Sequence, residues 1–199
     1  MQLTWLSSAV FASFSLLSVV AATTSVKEAC GTDGEVVSTN TIVHNNKEFQ
    51  VTTRTCPGFA ALSKNTTTRS IAGRTAVPNE KRQLLTCNTD CTVECADIAD
   101  QPLYDYCVTL TDALEDLDGE YFLAPAQTLT TFNDDGVCEY AYANLDVIEY
   151  EVCYYDVGYN GFRVADECFS DYPYSYTAGG YCVSPEVYEN DWILEVYYG

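Results

Sequence analysis

The chain has 199 residues, with 29 acidic side chains against nine basic ones, a net charge of −20, and ten cysteines. That charge repels nucleic-acid phosphates and anionic membrane surfaces, so neither is expected as a partner and a cationic one is favoured. An even cysteine count reads as disulfides made in an oxidising, secretory compartment.

The first residues, MQLTWLSSAVFASFSLLSVVAATTS, are apolar and small from Trp5 to Ala22 and carry no charged side chain. The run suits a signal-peptide core better than a finished membrane anchor, and Val20-Ala21-Ala22 gives the small residues a signal peptidase needs. Residues 1–22 are therefore expected to be removed and the product secreted to the extracellular space.

A boundary follows at Lys81-Arg82. Residues 23–82 hold eight Lys and Arg against five acids, whereas residues 83–199 hold one, Arg163, against 24 acids. All 16 tyrosines also lie after Arg82. Two cysteines, Cys30 and Cys56, precede it, and eight follow: Cys87, Cys91, Cys95, Cys107, Cys138, Cys153, Cys168 and Cys182. Each part can thus close its own bridges. Coincident shifts of this kind separate modules. Lys81-Arg82 reads as a secretory processing site that would leave Gln83 as a new, cyclisable amino terminus; the alternative is a solvated dibasic pair in a linker.

Residues 23–82 are a propiece or a small N-terminal module. Two β-branched runs flank Asn45-Asn46, which predicts a hairpin that Cys30 and Cys56 could staple. Asn65-Thr66-Thr67 is an N-glycosylation sequon, expected on an exposed loop. A basic propiece beside a very acidic domain suggests charge shielding during folding.

In residues 83–199 the clearest helix is PLYDYCVTLTDALEDLDG. Leu103, Cys107, Leu110, Leu114 and Leu117 share one face, with Pro102 at the start and Gly119 past the end. Strands follow over Leu129–Phe132 and Val137–Leu145, separated by the turn Asn133-Asp134-Asp135-Gly136, then over Tyr181–Val183 and Trp192–Tyr198. In the last of these Trp192, Leu194, Val196 and Tyr198 share a face. The pattern predicts an α+β fold with an antiparallel sheet of about four strands. Residues 149–169 stay undecided: Cys153, Val157, Val164 and Cys168 share helical phase, but Gly158 and Gly161 each cost about 1 kcal/mol in a helix, and Asn160-Gly161 is a hairpin-turn signal.

Histidine-dependent triads and lysine nucleophiles are absent after Arg82, since neither residue occurs there, and paired cysteines would supply no thiolate. Carboxylate pairs such as Glu115-Asp116 and Asp134-Asp135 are expected from abundance alone, so no enzymatic activity, and no cofactor, is expected. The Cys87, Cys91, Cys95 spacing does not suit zinc, and LEDLDGE and FNDDGVCE do not complete a calcium loop. Tyrosine rings beside carboxylates and amides do suit sugars, which offer C–H faces and hydroxyls together. The richest such stretch is SDYPYSYTAGG, with Asp171, Tyr172, Tyr174 and Tyr176 between Cys168 and Cys182.

The order of these features resembles a family of small secreted mushroom proteins typified by the ink-cap glycan-binding protein. The match rests on the Cys87, Cys91, Cys95 cluster, the helix carrying Cys107, Cys138 in a strand, the Cys153 and Cys168 pair, Gly179-Gly180-Tyr181-Cys182-Val183, and the ending Trp192-Ile193-Leu194-Glu195-Val196. It covers nearly all of residues 83–199 and none of the N-terminal part. The resemblance implies an α/β sandwich in which two helices cover the sheet, a homodimer joined through sheet edges, and lectin-like binding of glycans or glycoproteins in fungal defence or recognition. It also favours a helix between Cys153 and Cys168. A nonenzymatic effector or toxin-like protein acting on a protein target is the competing expectation.

Overall fold

A computed structural model describes residues 25–32, 34–60, 84–96, 100–170, 179–185 and 191–199. The expected signal peptide, Asn65, Lys81, Arg82, Gln83 and the ligand candidates Asp171, Tyr172, Tyr174 and Tyr176 lie outside them.

The N-terminal part forms α1 (Val26–Cys30), β1 (Val36–His44) and β2 (Lys47–Thr55). Asn45 and Asn46 both adopt positive φ, 50° and 63°, which is the geometry a tight two-residue hairpin turn requires and asparagine tolerates. Then come β3 (Leu84–Leu85), β4 (Thr92–Ala96), α2 (Tyr104–Glu115), β5 (Tyr121–Ala124), β6 (Thr128–Asp134), β7 (Cys138–Asn144), β8 (Tyr150–Cys153), α3 (Tyr154–Phe169), β9 (Gly179–Val183) and β10 (Trp192–Tyr197).

The fold is α+β, and its sheets are larger than the four strands expected. Seven strands form the main sheet in the order β1-β2-β6-β7-β10-β9-β4, and β3-β8-β5 form a second, three-stranded sheet. Every neighbouring pair in the main sheet is antiparallel, while β3 and β8 run parallel. The extra strands have two sources. β4 is short and largely exposed, with Glu94 at its centre, so its sequence gives little strand signal, and β1 and β2 come from the N-terminal part. β2 pairs with β6 from Gln50↔Asn133 to Thr55↔Thr128. Within that register Thr53 and Thr130 are both buried and share a hydroxyl–hydroxyl bond of 3.0 Å.

Helices α2 and α3 pack on each other and cover one face of the main sheet. Beneath them lies the main core, where Phe49 and Val51 of β2 join Leu110, Leu114, Phe132, Tyr140, Trp192 and Leu194. The opposite face has its own cluster, in which Val26, Cys30 and Phe59 cover Leu129, Ala141, Ala143 and Tyr197. The sheet is therefore buried on both sides, and the N-terminal part contributes to both.

On α2, Cys107, Leu110 and Leu114 point into the core. Leu103 does not: it is the exposed N-cap residue, because the helix begins one residue later. Tyr198 likewise falls beyond β10 and is exposed, leaving Trp192, Leu194 and Val196 as the inward row. The stretch after Cys153 is a continuous 16-residue helix. Its glycines are contact points rather than turns, for a Cβ at Gly158 would stand 3.1 Å from the Thr111 carbonyl oxygen and one at Gly161 2.4 Å from Tyr140 Cε2.

The ten cysteines form Cys30–Cys56, Cys87–Cys153, Cys91–Cys182, Cys95–Cys168 and Cys107–Cys138. No bridge joins residues 25–60 to residues 84–199. Among the described residues no helix is long and apolar enough to cross a membrane.

Candidate functional site

Helix α3 sorts its side chains into rows because residues four apart share a face. Tyr155 and Tyr159 form one row, 39% and 46% exposed, with ring centroids 6.3 Å apart and planes within 8°. Stacking fixes the two rings as one platform open to solvent. Asp156 and Asn160 form the adjacent row and line a cleft with Thr86, Thr89, Tyr142 and Trp192. Behind it the Tyr142 and Trp192 rings stack at 5.6 Å.

The polar groups of the cleft are held from the segment before β4. Asp156 accepts the backbone N–H of Asn88, a residue with φ of 58°, and that of Thr89. Burial nevertheless raises the Asp156 pKa, and the two N–H bonds only oppose that shift. The Asn160 amide donates to the Thr89 carbonyl at 3.3 Å. Arg163, one turn further along, pairs with Asp90 at 2.9 Å and so pins the same segment to α3. The Cys87–Cys153 bridge closes the arrangement at its end.

The cleft has room for about one water-sized group, so it admits a hydroxyl group or a water, not a whole ring. A larger ligand would lie on the tyrosine platform and reach into the cleft with one polar group. Asp156 also lies close to the sulfurs of Cys87 and Cys153, within 4.8 Å. Those sulfurs are bonded to each other and offer no thiolate for a metal.

Tyr121, exposed, stands opposite Cys153 in the β5–β8 register and two residues from Tyr155 in the chain through that pairing. Leu123 is exposed on the same side of β5, and β5 is an edge of the three-stranded sheet.

A second group of titratable side chains lies on the far face of the main sheet, covered by α1. Glu195 is fully buried, and its Oε2 accepts the Val26 N–H at 3.0 Å and the Ser25 hydroxyl at 3.3 Å. Burial pushes its carboxyl up to about 7, those bonds counteract the shift, and neighbouring Glu139 adds to it. Glu139 accepts the Tyr197 hydroxyl, and the Lys27 ammonium lies 3.9 Å from Glu139 Oε1 and 5.0 Å above the Tyr197 ring. The Tyr197 and Tyr181 phenols are both raised, first by burial and then by these carboxylates.

Neither group was named from the sequence. The Tyr155 and Tyr159 pair becomes visible only if residues 153–168 are helical, since a hairpin would separate the rings. Glu195 sits in a strand whose alternation marks it as solvent-facing, and nothing near it in sequence announces α1. Of the residues predicted to contact ligand, Asp171, Tyr172, Tyr174 and Tyr176 follow α3 in the chain, outside the described residues.

Comparison with known protein families, with curated proteins and with solved structures finds no match.

Proposed function

We propose that the protein is a secreted, disulfide-stapled glycan-binding protein, lectin-like and without catalytic function, as the family resemblance implies. The observation that carries this reading is the exposed Tyr155–Tyr159 platform set beside the Asp156 and Asn160 cleft. Sugars present apolar C–H faces to rings and hydroxyls to carboxylates and amides, and this surface offers both kinds of group within adjacent rows of one helix. A noncatalytic role is supported by the position of the carboxylate raised furthest, for Glu195 is fully buried beneath α1. Five bridges support a secreted, extracellular setting.

A glycan array probed with the full secreted protein tests the reading. Binding is expected to fall roughly tenfold or more when Tyr155 and Tyr159 are both changed to Ala, as the loss of a stacked aromatic contact requires. An array without reproducible binding, or binding unchanged in the double variant, sinks it.

A second reading, an effector that acts on a protein target, is favoured by one observation. β5 is an edge strand that exposes Tyr121 and Leu123 side by side, a feature that lends itself to strand addition by a partner. Retention of a protein partner that is lost in Leu123→Lys, with a blank glycan array, would select it.

A further inference from the structure

The charge boundary at Arg82 suggests a propiece that leaves, yet residues 25–60 are seated on the rest of the molecule as firmly as one half of a core on the other. β2 supplies a full strand to β6. Phe49 and Val51 enter the core under α2 and α3, while Val26 and Phe59 seal the opposite face. The polar contacts across this seam are as specific as the apolar ones. The Lys47 ammonium meets the carboxylate of Asp134, which is fully buried, and lies 4.8 Å from the centre of the Tyr106 ring. Lys27 faces Glu139 and Tyr197, and the start of α1 delivers its N–H groups to Glu195. His44 donates from Nδ1 to Asp116 at 2.9 Å while its Nε2 accepts the Asn45 amide at 2.6 Å. The two lysine contacts pair cations of the basic part with carboxylates of the acidic one, so the opposite charges of the two parts are expressed as contacts.

We propose that residues 25–60 are a resident subunit of the mature protein: a chain cut between residues 61 and 83 stays a two-chain complex, joined by strand pairing and ammonium–carboxylate contacts and by no covalent bond. The seat on residues 84–199 is then specific for a lysine-bearing hairpin. It needs an extended strand along β6, an ammonium at Asp134, and an apolar plug over Ala141 and Ala143.

The test uses the full chain with a site-specific protease sequence, flanked by Gly-Ser spacers, inserted after Arg82, so that cutting does not depend on the natural protease. After complete cutting under nonreducing conditions, native mass spectrometry and size exclusion are expected to show both chains in one particle. Denaturant without reductant should separate them into two species. Lys47→Met leaves Asp134 buried without its cation and should weaken retention of the N-terminal chain roughly a hundredfold or more. Adding Asp134→Asn to Lys47→Met removes the stranded charge and should restore much of it, which separates loss of the contact from general misfolding. A residue 83–199 chain that elutes alone after cutting overturns the proposal. So does a cut complex whose stability is indifferent to Lys47→Met.

Discussion

A methyl group at residue 161 would stand 2.4 Å from Cε2 of Tyr140, a ring that cannot retreat because its hydroxyl is tied to the Cys107 carbonyl and to Thr111, each at 2.9 Å. Helix propensity alone would make Gly161→Ala favourable by about 1 kcal/mol, but overpacking of a fixed core costs about 1 to 3 kcal/mol. The variant should therefore be less stable than the parent, by up to about 2 kcal/mol, as measured by urea denaturation. Glu195 makes a prediction of the opposite sign. Its carboxyl, ordinarily near 4.5, is held up to about 7 in the folded chain, so the native state keeps a proton that the unfolded state gives up. That stabilisation is complete below pH 4.5, shrinks as pH rises, and is gone above 7. Glu195→Gln keeps the acceptor for Val26 and Ser25 but does not titrate. Its stability should fall less than the parent's between pH 4.5 and 7, and the two curves should diverge by on the order of 3 kcal/mol across that window. Parallel curves would remove Glu195 as the cause.

At the scale of elements, α2 and its bridge are the most readable. The leucine and cysteine phase placed Cys107 inward, and the structure joins it to Cys138 of β7. Opening that loop by Cys107→Ala with Cys138→Ala should cost about 3 to 4 kcal/mol in chemical denaturation. The β6–β7 hairpin was equally legible, since its turn residues Asp135 and Gly136 adopt the positive φ that Asp-Gly sequences favour. α3 was not legible on residues alone. Whether Gly158 and Gly161 break a helix or admit a neighbour depends on Thr111, Leu114 and Tyr140, which are distant in sequence. The tyrosine platform was hidden for the same reason. On β10 Trp192, Leu194 and Val196 face inward as read, Tyr198 lies past the end of the strand, and the opposite face was missed because Glu195 and Tyr197 are buried by α1, an element from the far end of the chain.

For the whole molecule, the surplus of carboxylates on residues 83–199 opposes the compact state. Moderate salt should raise the melting temperature, most of it between about 10 and 150 mM, where the screening length falls from roughly 30 to 8 Å. A flat response would mean that the ion pairs lost to screening matter as much as the repulsion relieved. Sequence composition divided this molecule at Arg82 on charge, tyrosines and cysteines. The bridges respect that division, whereas the hydrophobic cores and the sheet do not, because strand pairing and burial depend on geometry that composition does not encode.

The sheet order also sets a timetable. β10 lies between β7 and β9, so the block β1-β2-β6-β7 and the block β9-β4 have no strand contact with each other until Trp192–Tyr197 fills the gap. A ribosome must pass residue 197 before the main sheet can close, although the N-terminal hairpin and its bridge can form much earlier. Until then the nascent chain carries two half-sheets with open edges, so its final assembly waits for a keystone rather than growing outward from a nucleus near the start.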